Sequence, residues 1–271
     1  MSMIRKDLFG STDLVQVAID RLRFYEPLAL QMHPDGFFVA DGGGKDSGAV
    51  VELVEMSGVK HTRHYHPTTV DPPELVRFLR QHRQSTMFEK PTTTMWKLIE
   101  KKMQPPTRWR RFCCSKLKEH GGKGRMIVTG IRWEESAARK GRPMVEGCHR
   151  PRVKRRFLHP IIDWTEAEVW EFHRQRDLPY CCLYDEGFKR LGCIGCPMGG
   201  RKSQEREFER WPHHKRLYLR AFARAIEARR AAGLSGGGGE FADWGTAQEM
   251  FDWWLRIPEE LEPGDNGPLF G

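Results

Sequence analysis

The segment Gly42-Gly43-Gly44-Lys45-Asp46-Ser47 puts three glycines directly before a cation, a carboxylate and a hydroxyl. Glycines without Cβ atoms let backbone N–H groups close around an anion. A helix starting at the loop would turn its positive end and its unpaired N–H groups toward a phosphate. Lys45 adds a point charge and Ser47 a hydroxyl, while Asp46 can hold a metal ion or tie down the loop. The spacing is too short for a Walker A loop and lacks the dinucleotide fingerprint. Arg132, Glu134 and Arg139 follow a predicted strand end, where α/β folds place ligands, and arginine grips phosphate or sulfate oxygens in pairs. Lys45, Asp46, Ser47 and Arg132 are the candidate catalytic residues, and Gly42, Gly43, Gly44, Glu134 and Arg139 join them as candidate nucleotide contacts.

A second constellation is built of sulfur. Cys113-Cys114 follows the basic stretch Arg108-Trp109-Arg110-Arg111, and Cys193-Ile194-Gly195-Cys196 comes much later. Four thiolates suit a [4Fe–4S] cluster or zinc, and spacing alone does not choose between them. Cys181 or Cys182 can replace Cys114 as the fourth ligand, and Cys148 reads as a spare thiol. His64 and His66 share one face of an extended segment; Thr68, Thr69 and Asp71 follow as candidate crevice residues. The run Arg150-Pro151-Arg152-Val153-Lys154-Arg155-Arg156 reads as a solvated basic face that can also track a nucleic-acid backbone.

These residues need a scaffold. An amphipathic helix is predicted over residues 11–25, with a short apolar strand over 36–41 and a helix from 47 to 56 after the glycine turn. Further strands are predicted over 59–66, 86–89, 125–130 and 156–162, with helices over 71–82 and 94–103 between them. Thr165 with Glu168 three residues on forms a capping-box pattern opening another helix. Strands alternating with helices imply an α/β fold with a mainly parallel, five-stranded sheet covered by helices on both faces. Residues 1–200 read as this nucleotide-binding domain with its cysteines, and 201–271 as a helical C-terminal extension packed on the same body. Within the extension, 205–232 is helix-compatible throughout, Gly236 to Gly239 is a glycine break, and Met250, Phe251, Trp253 and Trp254 form an aromatic patch before a loose tail.

At 271 residues, 39% hydrophobic and 30% charged, the chain can build a core, and wholesale disorder is excluded. No apolar run approaches the roughly 20 residues of a membrane span, and the N-terminus lacks a secretory pattern, so no membrane partner and a cytoplasmic location are expected. Lys and Arg outnumber Asp and Glu by 45 to 36, a net +9 that favours polyanions such as nucleotides or nucleic acid. Seven cysteines in a reducing compartment are metal ligands or reactive thiols before they are disulfides.

The glycine loop resembles the PP-loop of N-type ATP pyrophosphatases and of phosphoadenylyl-sulfate (PAPS) and adenylyl-sulfate (APS) reductases, usually Ser-Gly-Gly-x-Asp-Ser. Gly42 stands where that family has its leading serine, which removes one hydroxyl and leaves the backbone nest. Gly130-Ile131-Arg132, Pro160-Ile161-Ile162-Asp163-Trp164-Thr165 and Leu178-Pro179-Tyr180 leading into the second cysteine pair resemble further family segments. The likeness runs from about Phe37 to Met198. It implies an adenine-nucleotide alpha-hydrolase-like fold, ATP or APS/PAPS as nucleotide, Mg²⁺, and a [4Fe–4S] cluster on Cys113, Cys114, Cys193 and Cys196.

Two activities compete under this resemblance. In the first, a substrate oxygen attacks the α-phosphorus of ATP, pyrophosphate leaves, and sulfur displaces the adenylate. Members that insert sulfur into the DNA backbone work in this setting, which implies DNA and a cysteine desulfurase, or another sulfur or electron donor, as partners. In the second, APS or PAPS is reduced to sulfite through a nucleophilic cysteine, which the reductases carry in a C-terminal segment; here no cysteine follows Cys196. The first is the expected function. A non-catalytic nucleotide- or nucleic-acid-binding module is the third reading.

Overall fold

Phe37–Ala40 reads Phe-Phe-Val-Ala, and a run with no polar side chain is stable only in a sheet covered on both faces. In the computed structural model, which describes residues 3–7, 10–147, 155–234 and 244–260, this segment is a central strand. In chain order the elements are β1 (Ile4–Asp7), β2 (Gly10–Asp13), α1 (Leu14–Met32), β3 (Phe37–Ala40), α2 (Lys45–Ser57), β4 (His61–Tyr65), α3 (Pro73–His82), β5 (Thr86–Phe88), α4 (Met95–Lys102), β6 (Met126–Val128), α5 (Ala137–Lys140), β7 (Val145–Gly147), β8 (Arg156–Leu158), α6 (Glu166–Gln175), α7 (Arg201–Arg210), α8 (Pro212–Ala231) and α9 (Ala247–Glu260).

The main sheet has six strands in the order β5-β4-β3-β6-β8-β7. Every neighbouring pair is parallel except β7 on β8. The sheet therefore has one strand more than the sequence implies. Val-Glu-Gly of β7 is too short to carry a strand signal and is recruited by pairing with the otherwise open edge of β8. From β3 the chain moves outward to β4 and β5, then returns to place β6 on the other side. That reversal opens a crevice at the carboxyl ends of β3 and β6.

The two faces of the sheet differ. Phe37, Val39, Met126, Val128 and Leu158 point into a core shared with Leu14, Ala18 and Leu22 of α1, Ala49, Val50 and Leu53 of α2, and Val169 and Phe172 of α6. Phe38, Ile127 and Phe157 lie in register across β3, β6 and β8 on the opposite face. A second core joins α3 and α4 to α7, α8 and α9 through Phe78, Leu98, Phe208, Tyr218, Phe222, Phe251 and Trp254.

Local chemistry sets several boundaries. Asp13 caps α1 by accepting from the amides of Val15 and Gln16. The helix then runs past the expected Tyr25 through Pro27, whose missing N–H leaves only one carbonyl without its helical bond, on a face open to water. The long helix expected over 205–232 is two helices, because Pro212 lacks the N–H to continue α7 and instead starts α8. No helix of the described residues is long and apolar enough to cross a membrane. Cys148, residues 150–154 of the basic run, the Gly236 to Gly239 break and the tail beyond 260 lie outside the described residues.

Candidate nucleotide and thiol site

The glycine loop leaves β3 at Asp41, which is 1% exposed. Its carboxylate accepts from the Gly43 amide (3.1 Å) and from the Thr86 hydroxyl of β5 (2.9 Å), so two strands hold the loop's first turn. Gly43 adopts φ +72°, and a Cβ there would stand 2.7 Å from Leu75 Cδ1; the position excludes a side chain on both counts. Gly44 caps α2 without a side chain, and Ser47 Oγ donates to its carbonyl (2.9 Å). The Lys45 amide donates to Tyr184 Oη (2.8 Å), and His173 Nε2 donates to the Lys45 carbonyl (2.8 Å). Helix geometry leaves the Asp46 and Ser47 amides without intrahelical partners at the helix's positive end.

This end opens on a cavity of about 310 Å³ lined by Gly42, Gly44, Asp46, Ser47, His64 and Tyr65, with Lys118, Gly130, Arg139 and Arg190 among its other walls. A second cavity of about 180 Å³ adjoins it, floored by Phe38, Ile127 and Phe157. Ala40, His66 and Lys118 line both, so the two form one cleft with a polar end and an apolar end. Burial pushes the His66 imidazole down to about 4, with His120 adding to the fall, so at pH 7 His66 is neutral and Lys118 is the charged member of the shared wall.

Three of the expected contacts turn away from the cleft. Lys45 is 6% exposed, with Nζ 3.3 Å from both Asp46 and Glu166. Arg132 is 3% exposed; its Nε lies 2.6 Å from Asp46 and its Nη1 3.1 Å from Glu134, with a further bond to the Trp164 carbonyl. Burial works against the Arg132 charge, and Asp46, Glu135 and Glu134 more than restore it. Lys45, Arg132 and Glu134 thus form an ion-paired buttress behind the loop, while Asp46, Ser47 and Arg139 face the cavity. Among the crevice residues, Asp71 lines the cavity; Thr68 instead meets Cys193 Sγ, and Thr69 caps α4 through the Met95 amide.

Lys118 and Arg190 escaped sequence reasoning, and neither makes an ion pair with a described carboxylate. Lys118 is surrounded by protein yet reachable through the two cavities it lines. The signal for both was adjacency. Lys118 ends the π-helical turn Cys114–Lys118, and Arg190 to Gly192 lead directly into Cys193. Each cysteine pair is therefore tied through a few residues of backbone to a cavity wall.

The four thiols share one environment. Cys113 Sγ donates to Cys114 Sγ at 4.0 Å, and Arg111 Nη2 donates to the same sulfur at 3.4 Å. The Cys113 bond and the Arg111 charge lower Cys114 to about 5, while donating that bond and burial raise Cys113. Burial pushes Cys193 up to about 11, and Cys196 upward too. Charge on Cys193 and Cys196 acts on Cys113, and charge on Cys114 acts on Cys196. The Lys118 ammonium is held charged chiefly by Cys193, with Asp71, Cys114 and Cys196 contributing. Cys181 is buried in the second core and Cys182 is exposed; their neighbour is Glu74 of α3. Among the described residues, no three His, Cys, Asp or Glu side chains converge as ligands of a single ion do.

A family profile described as the phosphoadenosine phosphosulfate reductase domain matches residues 37–199, well over half of the chain. An adenosine 5'-phosphosulfate reductase from Staphylococcus haemolyticus is 28% identical over 148 residues, covering 51% of this chain and 59% of its own length. One from Oceanobacillus iheyensis is 32% identical over 84 residues, covering 31% of this chain and 34% of its own length. The chain thus spans less than two thirds of these relatives. A crystal structure of PAPS reductase from Candida auris in a phosphate complex superposes with a TM-score of 0.47 at 17% identity, covering 65% of this chain and 87% of that one. The matched stretch begins at β3 and ends just past the second cysteine pair, so it contains the glycine loop, the cleft and all four thiols, and the chain belongs to the phosphoadenosine phosphosulfate reductase domain family.

Proposed function

We propose that this chain is an enzyme of sulfur metabolism that binds an adenine nucleotide in the cleft and works as an ATP pyrophosphatase of the PP-loop type. The observation carrying this reading is the junction of the glycine loop with the cleft. Helix amides at Asp46 and Ser47 border a cavity that Lys118 and Arg190 also line. The phosphates occupy that end, and the base takes the apolar end between Ala40, Phe38, Ile127 and Thr129. A substrate oxygen attacks the α-phosphorus; its new P–O bond forms as the bond to pyrophosphate breaks, and pyrophosphate leaves with the electron pair. Cations and aligned amides stabilise the charge that develops on it. A sulfur nucleophile then displaces AMP. With net +9, the DNA backbone is the acceptor proposed, and a cysteine desulfurase or another sulfur or electron donor is the partner.

The thiols fit a [4Fe–4S] cluster. All four donors are soft, and Lys118 and Arg111 supply two positive charges beside them. Bound there, a cluster would supply electron transfer or a point of attachment for sulfur. Mg²⁺ fits less well as a resident ion. Asp46 has both oxygens on cations, Asp41 both on the loop and Thr86, and Glu135 is paired with Arg139.

The names of the relatives favour a second reading, reduction of APS or PAPS to sulfite. Against it, no described cysteine lines the cleft. The test is direct. Anaerobically purified protein receives ATP with and without DNA, and separately APS or PAPS with thioredoxin. Pyrophosphate release supports the first reading. Sulfite without pyrophosphate replaces it with the second, and neither product leaves only a binding module.

A further inference from the structure

Most of the side-chain hydrogen bonds that hold the loop between Cys193 and Cys196 come from residues beyond it in the chain. Glu207 of α7 accepts from the Gly195 amide at 2.6 Å, and Ser203 Oγ steadies the other carboxylate oxygen at 3.0 Å. Gln204, 0% exposed, donates through Nε2 to the Gly195 carbonyl at 3.1 Å. Tyr218 of α8, 1% exposed, donates to the Ile194 carbonyl at 2.9 Å. Gly195 adopts φ +73°, and a Cβ on it would stand 2.5 Å from Phe208 and 3.1 Å from Trp254. On its other side the loop is pinned twice, by the Ile194 amide to the Val70 carbonyl at 2.8 Å and by Cys193 Sγ to the Thr68 hydroxyl at 3.4 Å.

We propose that α7 and α8 form a clamp that holds the Cys193–Cys196 loop ready to receive the inorganic centre, with Glu207 and Tyr218 as its positioning residues. The proposal rests on reading those cysteines as cluster ligands. Its physical ground is economy of groups. Buried loop amides and carbonyls need partners. Here three side chains from two consecutive helices meet the two residues between the cysteines, and the aromatic core closes over the glycine. A buried carboxylate is costly unless hydrogen-bonded, and Glu207 receives its bonds from the loop and from Ser203. Its negative charge beside the thiolates also disfavours adding an electron to a cluster held there.

The experiment compares Glu207→Gln and Tyr218→Phe with an exposed control on the same helix, Glu209→Gln. In the metal-free, reduced protein, alkylation of each cysteine by iodoacetamide is followed by mass spectrometry. Tyr218→Phe loses a buried hydrogen bond and Glu207→Gln the charge that strengthens the bond to the loop amide, and each should speed modification of Cys193 and Cys196 about tenfold, with Cys182 and the control unchanged. After anaerobic reconstitution, both variants should lose iron faster to a chelator, and Glu207→Gln should move the cluster's reduction potential positive, which a merely structural role would not do. Wild-type alkylation rates in both variants overturn the clamp. Wild-type protein that takes up no iron overturns the cluster reading, and with it the purpose of the clamp, even where alkylation responds.

Discussion

Asp41 is a buried carboxylate whose oxygens hold the Gly43 amide and the Thr86 hydroxyl, so the loop's shape depends on one side chain outside the glycines. Asp41→Ala leaves both donors without a partner. We expect it to destabilise the fold by about 1–3 kcal/mol in urea unfolding and to weaken nucleotide binding. At Gly43 the left-handed φ and the contact with Leu75 act together, and Gly43→Ala should cost about 1–3 kcal/mol. His66 gives a pH signature. Its imidazole titrates near 6.5 when unfolded and near 4 when folded, chiefly because burial disfavours the charge. Between those values the unfolded chain binds more protons, so stability is full above 6.5 and falls as pH drops toward 4. In His66→Gln that fall should be shallower than in wild type, as thermal melts at successive pH values would register. At this scale the sequence marked the glycine loop and the four thiols as candidates, because their residue types are rare and cluster in short segments. It did not separate Lys45 and Arg132, which brace the loop, from Lys118 and Arg190, which face the cleft. The direction in which a long cationic side chain points depends on carboxylates brought near by the fold, here Asp46, Glu134 and Glu166.

At the scale of elements, the capping box opening α6 was legible and is present. Thr165 Oγ1 accepts from the Glu168 amide at 3.2 Å, and Glu168 Oε2 from the Thr165 amide at 2.7 Å. Glu168 also receives Arg5 of β1 at 2.6 Å, so the cap fastens the N-terminal hairpin to the body. Thr165→Ala should cost about 0.5–2 kcal/mol, whereas Glu168→Ala should in addition free the hairpin, visible as faster amide exchange over β1 and β2. That hairpin was not legible. Ile4-Arg5-Lys6-Asp7 lacks alternation, and its register comes from pairing with Gly10–Asp13. β7 escaped for the same reason, since three residues become a strand only where a neighbouring edge is open. The alternation of strands and helices was readable because β3 and β6 are short apolar runs and helix-start chemistry opens α2, α3 and α6.

Across the whole molecule, the cleft is the meeting place of two cores. One holds the sheet and the glycine loop in place; the other, through α7, α8 and α9, carries the second cysteine pair. Trp254 links them to the first cysteine pair as well, because its indole N–H donates to the Pro106 carbonyl at 2.6 Å, just upstream of Cys113. Trp254→Ala should cost about 3–5 kcal/mol in denaturant unfolding. The sequence marked this aromatic patch without its destination, since which carbonyl a buried tryptophan finds is a property of the assembled fold.

The measurement closest to the central claim is calorimetric titration of wild type and Gly42→Val with a non-hydrolysable ATP analogue and with APS. Gly42 lines the cavity without a left-handed φ, and a Cβ there meets nothing nearer than 4.0 Å, so valine fills the site and spares the fold. We expect one nucleotide per wild-type chain and at least about tenfold weaker binding in Gly42→Val, at an unchanged melting temperature. Equal affinity in the two proteins, or no binding of either nucleotide to wild type, would contradict the assignment of the cleft.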